Sequence, residues 1–170
     1  MENCSLKCRA KRTDTHDWIY GYYICLHHTT YCCKCTQQKE RDNEIHQIVF
    51  EHMTDWCLPN QHLRADVDPA TVCRCTGLLD QNHKNVFEGD ILTCGEYPFT
   101  DSKGNQNYYA VVQYFDDSAA FGYQIVKTQS AKVHGIADGI TGYLEELDIS
   151  ACRVIGNIFD NSELLSMKES

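Results

Sequence analysis

The chain has 170 residues, 42% of them hydrophobic and 23% charged, with only three prolines. That composition excludes a disordered chain, and the length suits one domain or two small ones. The net charge of -9 excludes a generic affinity for the nucleic-acid backbone, which needs a basic footprint.

Residues 6–12, "LKCRAKR", alternate apolar and basic side chains. This is the pattern of a half-buried strand with Lys7, Arg9 and Lys11 turned outward. Polar residues 13–17 read as a turn. "WIYGYYICL" at 18–26 is rich in aromatic and β-branched residues and reads as the second strand of a hairpin. "YCCKCT" at 31–36 is a third short strand, and the charged stretch 37–43 is a loop. Residues 44–56 fit two patterns. Ile45, Ile48, Val49, His52 and Trp56 match helical spacing, while "HQIVF" suits a strand. The segment 57–70, "CLPNQHLRADVDPA", carries Pro59 and Pro69. A linker is drawn there at 61–70, closing an N-terminal β-hairpin region over 1–60.

From residue 71 the pattern is β throughout. Stretches 71–75, 86–94, 107–115, 121–128 and 152–159 read as strands, with Asp116, Asp117 and Ser118 turning one into the next. Asp160 precedes a terminal helical turn at 162–167. Short strands spaced by turn residues argue for a small sandwich or barrel, so the fold class is mainly β, with a C-terminal module over 71–165.

The stretch 76–92, "TGLLDQNHKNVFEGDIL", raises the question of catalysis. Asn82-His83 sits where a tight turn wants positive φ, which Asn and His tolerate. The turn delivers Val86 and Phe87 to the core, and Gly89 lets the chain bend. Glu88 and Asp90 then flank Gly89 on the solvent side. Paired carboxylates can chelate a cation or act as acid and base, but no His, Cys or Ser nucleophile stands beside them in a recognisable pattern. The reading is a structural corner, and no catalytic residue is assigned.

These residues also carry a resemblance. Thr76-Gly77-Leu78, Phe87-Glu88-Gly89-Asp90, Val154-Ile155-Gly156-Asn157-Ile158 and the Leu164-Leu165 pair are similar to the motifs of the YopX family of phage and prophage proteins. "CRAKRTDTHDWIYGYY" near the N-terminus and "VDPATV" at 67–72 fit the same pattern, and only 27–65 look unlike it. The family turn usually holds Asn-Gly where this chain has Asn82-His83. Cys8, Cys73 and Cys75 replace aromatic or small residues. The resemblance implies an SH3-like β-barrel for the C-terminal module, an oligomeric protein and a mobile-element origin. It supplies no catalytic residues.

Other constellations remain. Cys25, His27, His28, Cys32, Cys33 and Cys35 crowd together in "CLHHTTYCCKC". Zinc takes such ligands in tetrahedral fours, and the chain offers one Cys-x-x-Cys pair, Cys32 and Cys35, with no second pair of that spacing to complete a standard knuckle. No metal and no cofactor is therefore expected. If a metal were held, Cys32, Cys33, Cys35 and Cys57 would be the ligands. Eleven cysteines are an odd number. The N-terminus lacks the apolar core of a signal peptide, so reduced thiols in a cytoplasmic protein are expected rather than a disulfide framework. No apolar run approaches the roughly 20 residues of a membrane span. "HGIADGITG" at 134–142 has glycines but no phosphate-loop lysine, and reads as a loop.

Trp18, Tyr20 and Tyr22 alternate, so they share one strand face. Beside the basic strand they could stack a base, and Arg9, Lys11, Trp18 and Tyr20 are the candidate ligand-binding set. Cross-strand packing or a subunit contact is the plainer reading. The function expected is a homo-oligomeric, non-catalytic binding module for a host or phage protein. A protein that sequesters a small ligand or nucleotide is the alternative, and an enzyme is the third.

Overall fold

The computed structural model describes residues 6–28, 44–97, 99–100, 103–128 and 138–165. It is mainly β, with antiparallel strands and short 3-10 turns. The chain forms two compact units, with the division falling inside one strand, Cys73–Leu79.

The N-terminal unit, Leu6–Arg74, contains β1 (Cys8–Lys11), β2 (Trp18–His27), β3 (Glu44–His52) and β4 (Gln61–Asp66). They run in the order β4-β3-β2-β1, and the start of β5 (Cys73–Leu79) pairs with β1. The ambiguity over 44–56 resolves to strand because Ile48 lies opposite Tyr23 and is fully buried. Ile48, Ala10 and Val67 form the core, with Cys8, Ile19, Tyr23 and Val72 packed around them.

Two expectations are corrected here. Residues 61–66, drawn as linker, are strand β4. Ala65 is buried opposite Ile48, whereas His62 and Arg64 are exposed. Pro59 precedes this strand, so it removes no ladder donor. Arg9, expected outward, is only 6% exposed. Strand β1 lies between two neighbours, and both Arg9 and Ala10 are buried, so alternation there does not separate solvent from core.

The C-terminal unit begins at Cys75. It holds the rest of β5, β6 (Asn85–Phe87), β7 (Asp90–Thr93), β8 (Tyr108–Phe115), β9 (Ala120–Lys127), β10 (Thr141–Tyr143) and β11 (Arg153–Asn157). Cys75 pairs with Phe87 across β5 and β6. The other strands form a five-stranded antiparallel sheet, β10-β9-β8-β7-β11, with β10 and β11 at its edges among the described residues. Val86, Leu92, Phe99, Val112, Ile125 and Leu144 belong to its buried core.

The stretch 86–94 is two strands, not one, because Glu88 and Gly89 turn between β6 and β7. The terminal helical turn is a single 3-10 turn, Ser162–Leu164, and Asp160 does not cap it. Asp160 instead accepts a hydrogen bond from Asn157 Nδ2. The expectation of reduced thiols also needs correction, since Cys94 and Cys152 form a disulfide. Thr93 and Arg153 are register partners on β7 and β11. The antiparallel ladder therefore brings the next residue of one strand beside the preceding residue of the other. Cys8, Cys25, Cys57, Cys73 and Cys75 stand outside any disulfide.

Candidate functional site

The corner at residues 76–92 is architecture built from side-chain-to-backbone hydrogen bonds. Thr76 Oγ1 donates to the Val86 carbonyl at 2.9 Å and accepts from Leu78 N at 3.1 Å. Gly77 and Gly89 have φ of 80° and 77°, and His83 has φ of 59°, as the turn required. Gly89 N donates to the Val112 carbonyl, and the Gly89 carbonyl accepts from Ile158 N, both at 2.9 Å. Phe87 is buried.

Asp90 corrects the sequence reading. It is 1% exposed rather than on the solvent side, and its Oδ2 accepts from Phe87 N at 2.8 Å. The carboxylate closes the turn from within, because the bend at Gly89 reverses which way position 90 points. Glu88 is half-buried.

The structure adds a residue that the sequence did not single out. Asp80 is buried, and its Oδ1 accepts from Asn82 N at 2.8 Å and Lys84 N at 2.9 Å. Its Oδ2 accepts from Val154 N at 3.1 Å, tying the hairpin turn to β11. Burial on its own would raise this carboxyl. The three backbone N–H donors and the nearby Lys84 outweigh it and hold the group below the ordinary carboxylate value. The signal available was an Asp two residues ahead of an Asn-His turn, the usual place for an Asx cap.

The distal motif is a second turn device. Asn157 Oδ1 accepts from Phe159 N at 2.9 Å and Asp160 N at 3.0 Å. Gly156 follows a register shift in β11, and a Cβ there would run into the Asn161 side-chain amide.

The candidate ligand set is brought together. Arg9 pairs with Tyr20 and Lys11 with Trp18 across β1 and β2. Arg9 Cζ lies 4.8 Å and Lys11 Nζ 5.5 Å from the Trp18 ring centroid. Both cations therefore already use the indole that a base would need. Tyr20 and Tyr22 are exposed.

The sequence did not mark the connection between β3 and β4 as a surface. Trp56 is 89% exposed there, Met53 72% and Leu58 59%. The fold of the tip is held by Thr54 Oγ1 donating to the Pro59 carbonyl at 3.2 Å, and by Leu58 N donating to the Asp55 carbonyl at 3.2 Å. Cys57 is also here, exposed, with φ of 65°. Of its proposed co-ligands, Cys32, Cys33 and Cys35 lie outside the described residues.

A different thiol meets ligating groups. Cys25 and His46 are register partners on β2 and β3, and Glu44 is two residues from His46 on the same face. His46 Nε2 lies 3.3 Å from Glu44 Oε2, and His27 Nε2 lies 4.0 Å from Glu44 Oε1.

In the C-terminal unit a cavity of about 200 Å³ borders the disulfide. Glu96, Glu146 and Asp148 contribute carboxylates to it, alongside Tyr97 and Phe99, and no described lining residue is a histidine. With Cys94 and Cys152 bonded to each other, neither is a thiolate nucleophile.

No helix among the described residues is long and apolar enough to cross a membrane. In comparisons with known proteins, the family described as "YopX protein" matches residues 7–166, nearly the whole chain. No curated protein matches.

Proposed function

The chain belongs to the YopX family, and from that premise we propose a non-catalytic binding protein that self-associates through the tip between β3 and β4. The observation that carries this reading is the cluster of Met53, Trp56 and Leu58, three large apolar side chains exposed on one short connection. Single exposed apolar residues are ordinary. A local cluster with an almost fully exposed tryptophan is the composition of an interface anchor, and Trp is enriched where binding energy concentrates. The occupant we assign to it is a second copy of this chain.

The proposal includes a phage- or mobile-element-encoded accessory role in the host cytoplasm, with a host or phage protein as the further partner. It also includes an SH3-like barrel for the C-terminal unit. Five short antiparallel strands around one apolar core support that barrel. The alternative, sequestration of a small ligand or nucleotide by Arg9, Lys11, Trp18 and Tyr20, is weaker, because both cations already sit against Trp18.

Native mass spectrometry of the protein purified from its own host reads subunit number and any retained ligand together. A ligand-free oligomer is the expected result. A monomer carrying a stoichiometric small molecule would replace this reading with the alternative.

A further inference from the structure

We propose that Cys25, Glu44 and His46 form a binding site for a borderline-soft divalent cation of the zinc type. The inference is independent of the self-association reading. Spacing along the chain does not mark these three residues as zinc ligands. The sheet supplies them across strands instead. Cys25 and His46 face each other on β2 and β3, where directly opposed side chains have Cβ atoms about 4.5–5.5 Å apart. Glu44 is on the same face one pleat away.

The Cys25 Sγ, a Glu44 carboxylate oxygen and a His46 ring nitrogen all lie within 4.8 Å of one another. Ligand atoms of a tetrahedral zinc site, at metal distances of about 2.0–2.3 Å, stand about 3.3–3.8 Å apart. The His46–Glu44 separation of 3.3 Å is already at that spacing. The Cys25 thiol, on an exposed side chain, lies within 4.8 Å of both other ligand atoms. Cys25 and Glu44 are both exposed, so nothing packed has to yield.

The second ring nitrogen is also placed for the task. His46 Nδ1 lies 2.6 Å from the Tyr23 hydroxyl, and the two rings are near-parallel. With the proton on Nδ1 donated to Tyr23 Oη, the Nε2 lone pair is left for the cation on the side of Glu44 Oε2. An outer partner that fixes the tautomer in this way is a regular feature of histidine metal ligands. Tyr23 is a positioning residue.

The ligand chemistry selects the ion. A thiolate and an imidazole suit zinc, while magnesium and calcium take oxygen ligands. Three protein ligands leave one tetrahedral position to solvent. Cys57 has no part in this site. It follows the far end of β3, whose first residue is Glu44.

The test uses the full chain, reduced, stripped with a chelator and titrated with Co²⁺ as the probe. Expected are about one cobalt per chain with visible bands of four-coordinate geometry and a thiolate-to-cobalt charge-transfer band. Zinc should displace it, and a large excess of Mg²⁺ should not. Cys25→Ser and His46→Gln should each weaken binding by more than about 100-fold, beyond the 10–100-fold expected for the outer-partner change Tyr23→Phe. Zinc should also raise the melting temperature of the parent but not of Cys25→Ser.

Glu44→Gln, at an exposed position, covers the case in which a less exposed variant fails to fold, and should also weaken binding. The proposal is overturned if cobalt shows no thiolate band. It is equally overturned if Cys25→Ser binds like the parent while the joint change of Cys32, Cys33 and Cys35 to Ser abolishes binding.

Discussion

Asp80 accepts three backbone N–H groups, two from its own turn and one from Val154 on β11. Asp80→Asn keeps Oδ1 but sets an amide N–H₂ against the Val154 donor. It should cost about 1–3 kcal/mol, the price of a buried donor left unsatisfied. Because the folded-state value of Asp80 lies below the unfolded one, its carboxylate adds stability at neutral pH. That stability is lost as pH falls from the ordinary carboxylate range through the lowered value. Acid titrations followed by circular dichroism should show a shallower loss in Asp80→Asn than in the parent. At the neighbouring turn, Phe87→Ala should cost about 3–5 kcal/mol, because the ring is buried. Glu88→Gln should change stability by less than about 0.5 kcal/mol. Gly89→Val should cost about 1–3 kcal/mol. Its strain comes from the backbone, since φ is +77° and a Cβ there would meet Ile158 at an ordinary 3.4 Å. Thermal melts of these variants check the set, and a parent-like melt for Phe87→Ala would contradict the core assignment. The positive φ at His83 and the burial of Phe87 were readable from turn chemistry. The burial of Asp90 was not, because Glu88 and Asp90 look equivalent until the direction of the bend between them is known.

Strand alternation made most elements legible, and failed where its premise did. β2, β8 and β9 declare themselves through runs of aromatic and β-branched residues. β4 carries His62, Arg64 and Asp66 in alternation with Leu63 and Ala65, but Pro59 and Pro69 on either side made it read as a linker. Arg9 was misplaced because alternation says which face a side chain takes and not what covers that face, and here the guanidinium lies against the Trp18 ring. The candidate surfaces were hidden for a related reason. Cys25, Glu44 and His46 are brought together by strand pairing alone, and the intervening sequence gives no spacing to recognise. The tip between β3 and β4 looked like a helix end because Trp56 fell on a helical spacing with His52. Its exposure predicts that Trp56→Ser leaves the melting temperature of the isolated chain unchanged within the roughly 0.5 kcal/mol of an ordinary surface change. A marked drop in melting temperature at low protein concentration would mean that the indole packs within its own chain.

At the scale of the whole molecule, net charge bears on nucleic-acid binding and exposed apolar surface on the proposed self-association. Residues 76–170 carry six Lys and Arg against fourteen Asp and Glu, and the net charge is -9. Duplex DNA of random sequence should therefore not bind at physiological salt in a fluorescence-anisotropy titration. Micromolar binding with a steep salt dependence would show that the basic residues of β1 outweigh the global charge. The mainly β class and the family were both legible in the sequence, because turn motifs at both ends survive as local chemistry. The Cys94–Cys152 disulfide was not legible, since its partners are 58 residues apart and meet only through the register of β7 and β11. The most direct test of self-association through the hairpin tip is sedimentation equilibrium of the parent beside a variant carrying Met53→Ser, Trp56→Ser and Leu58→Ser. With self-association through the tip, the parent should have a mass of two or more chains at micromolar concentration and the variant should be folded and monomeric. A monomeric parent, or a variant that associates as the parent does, would contradict it.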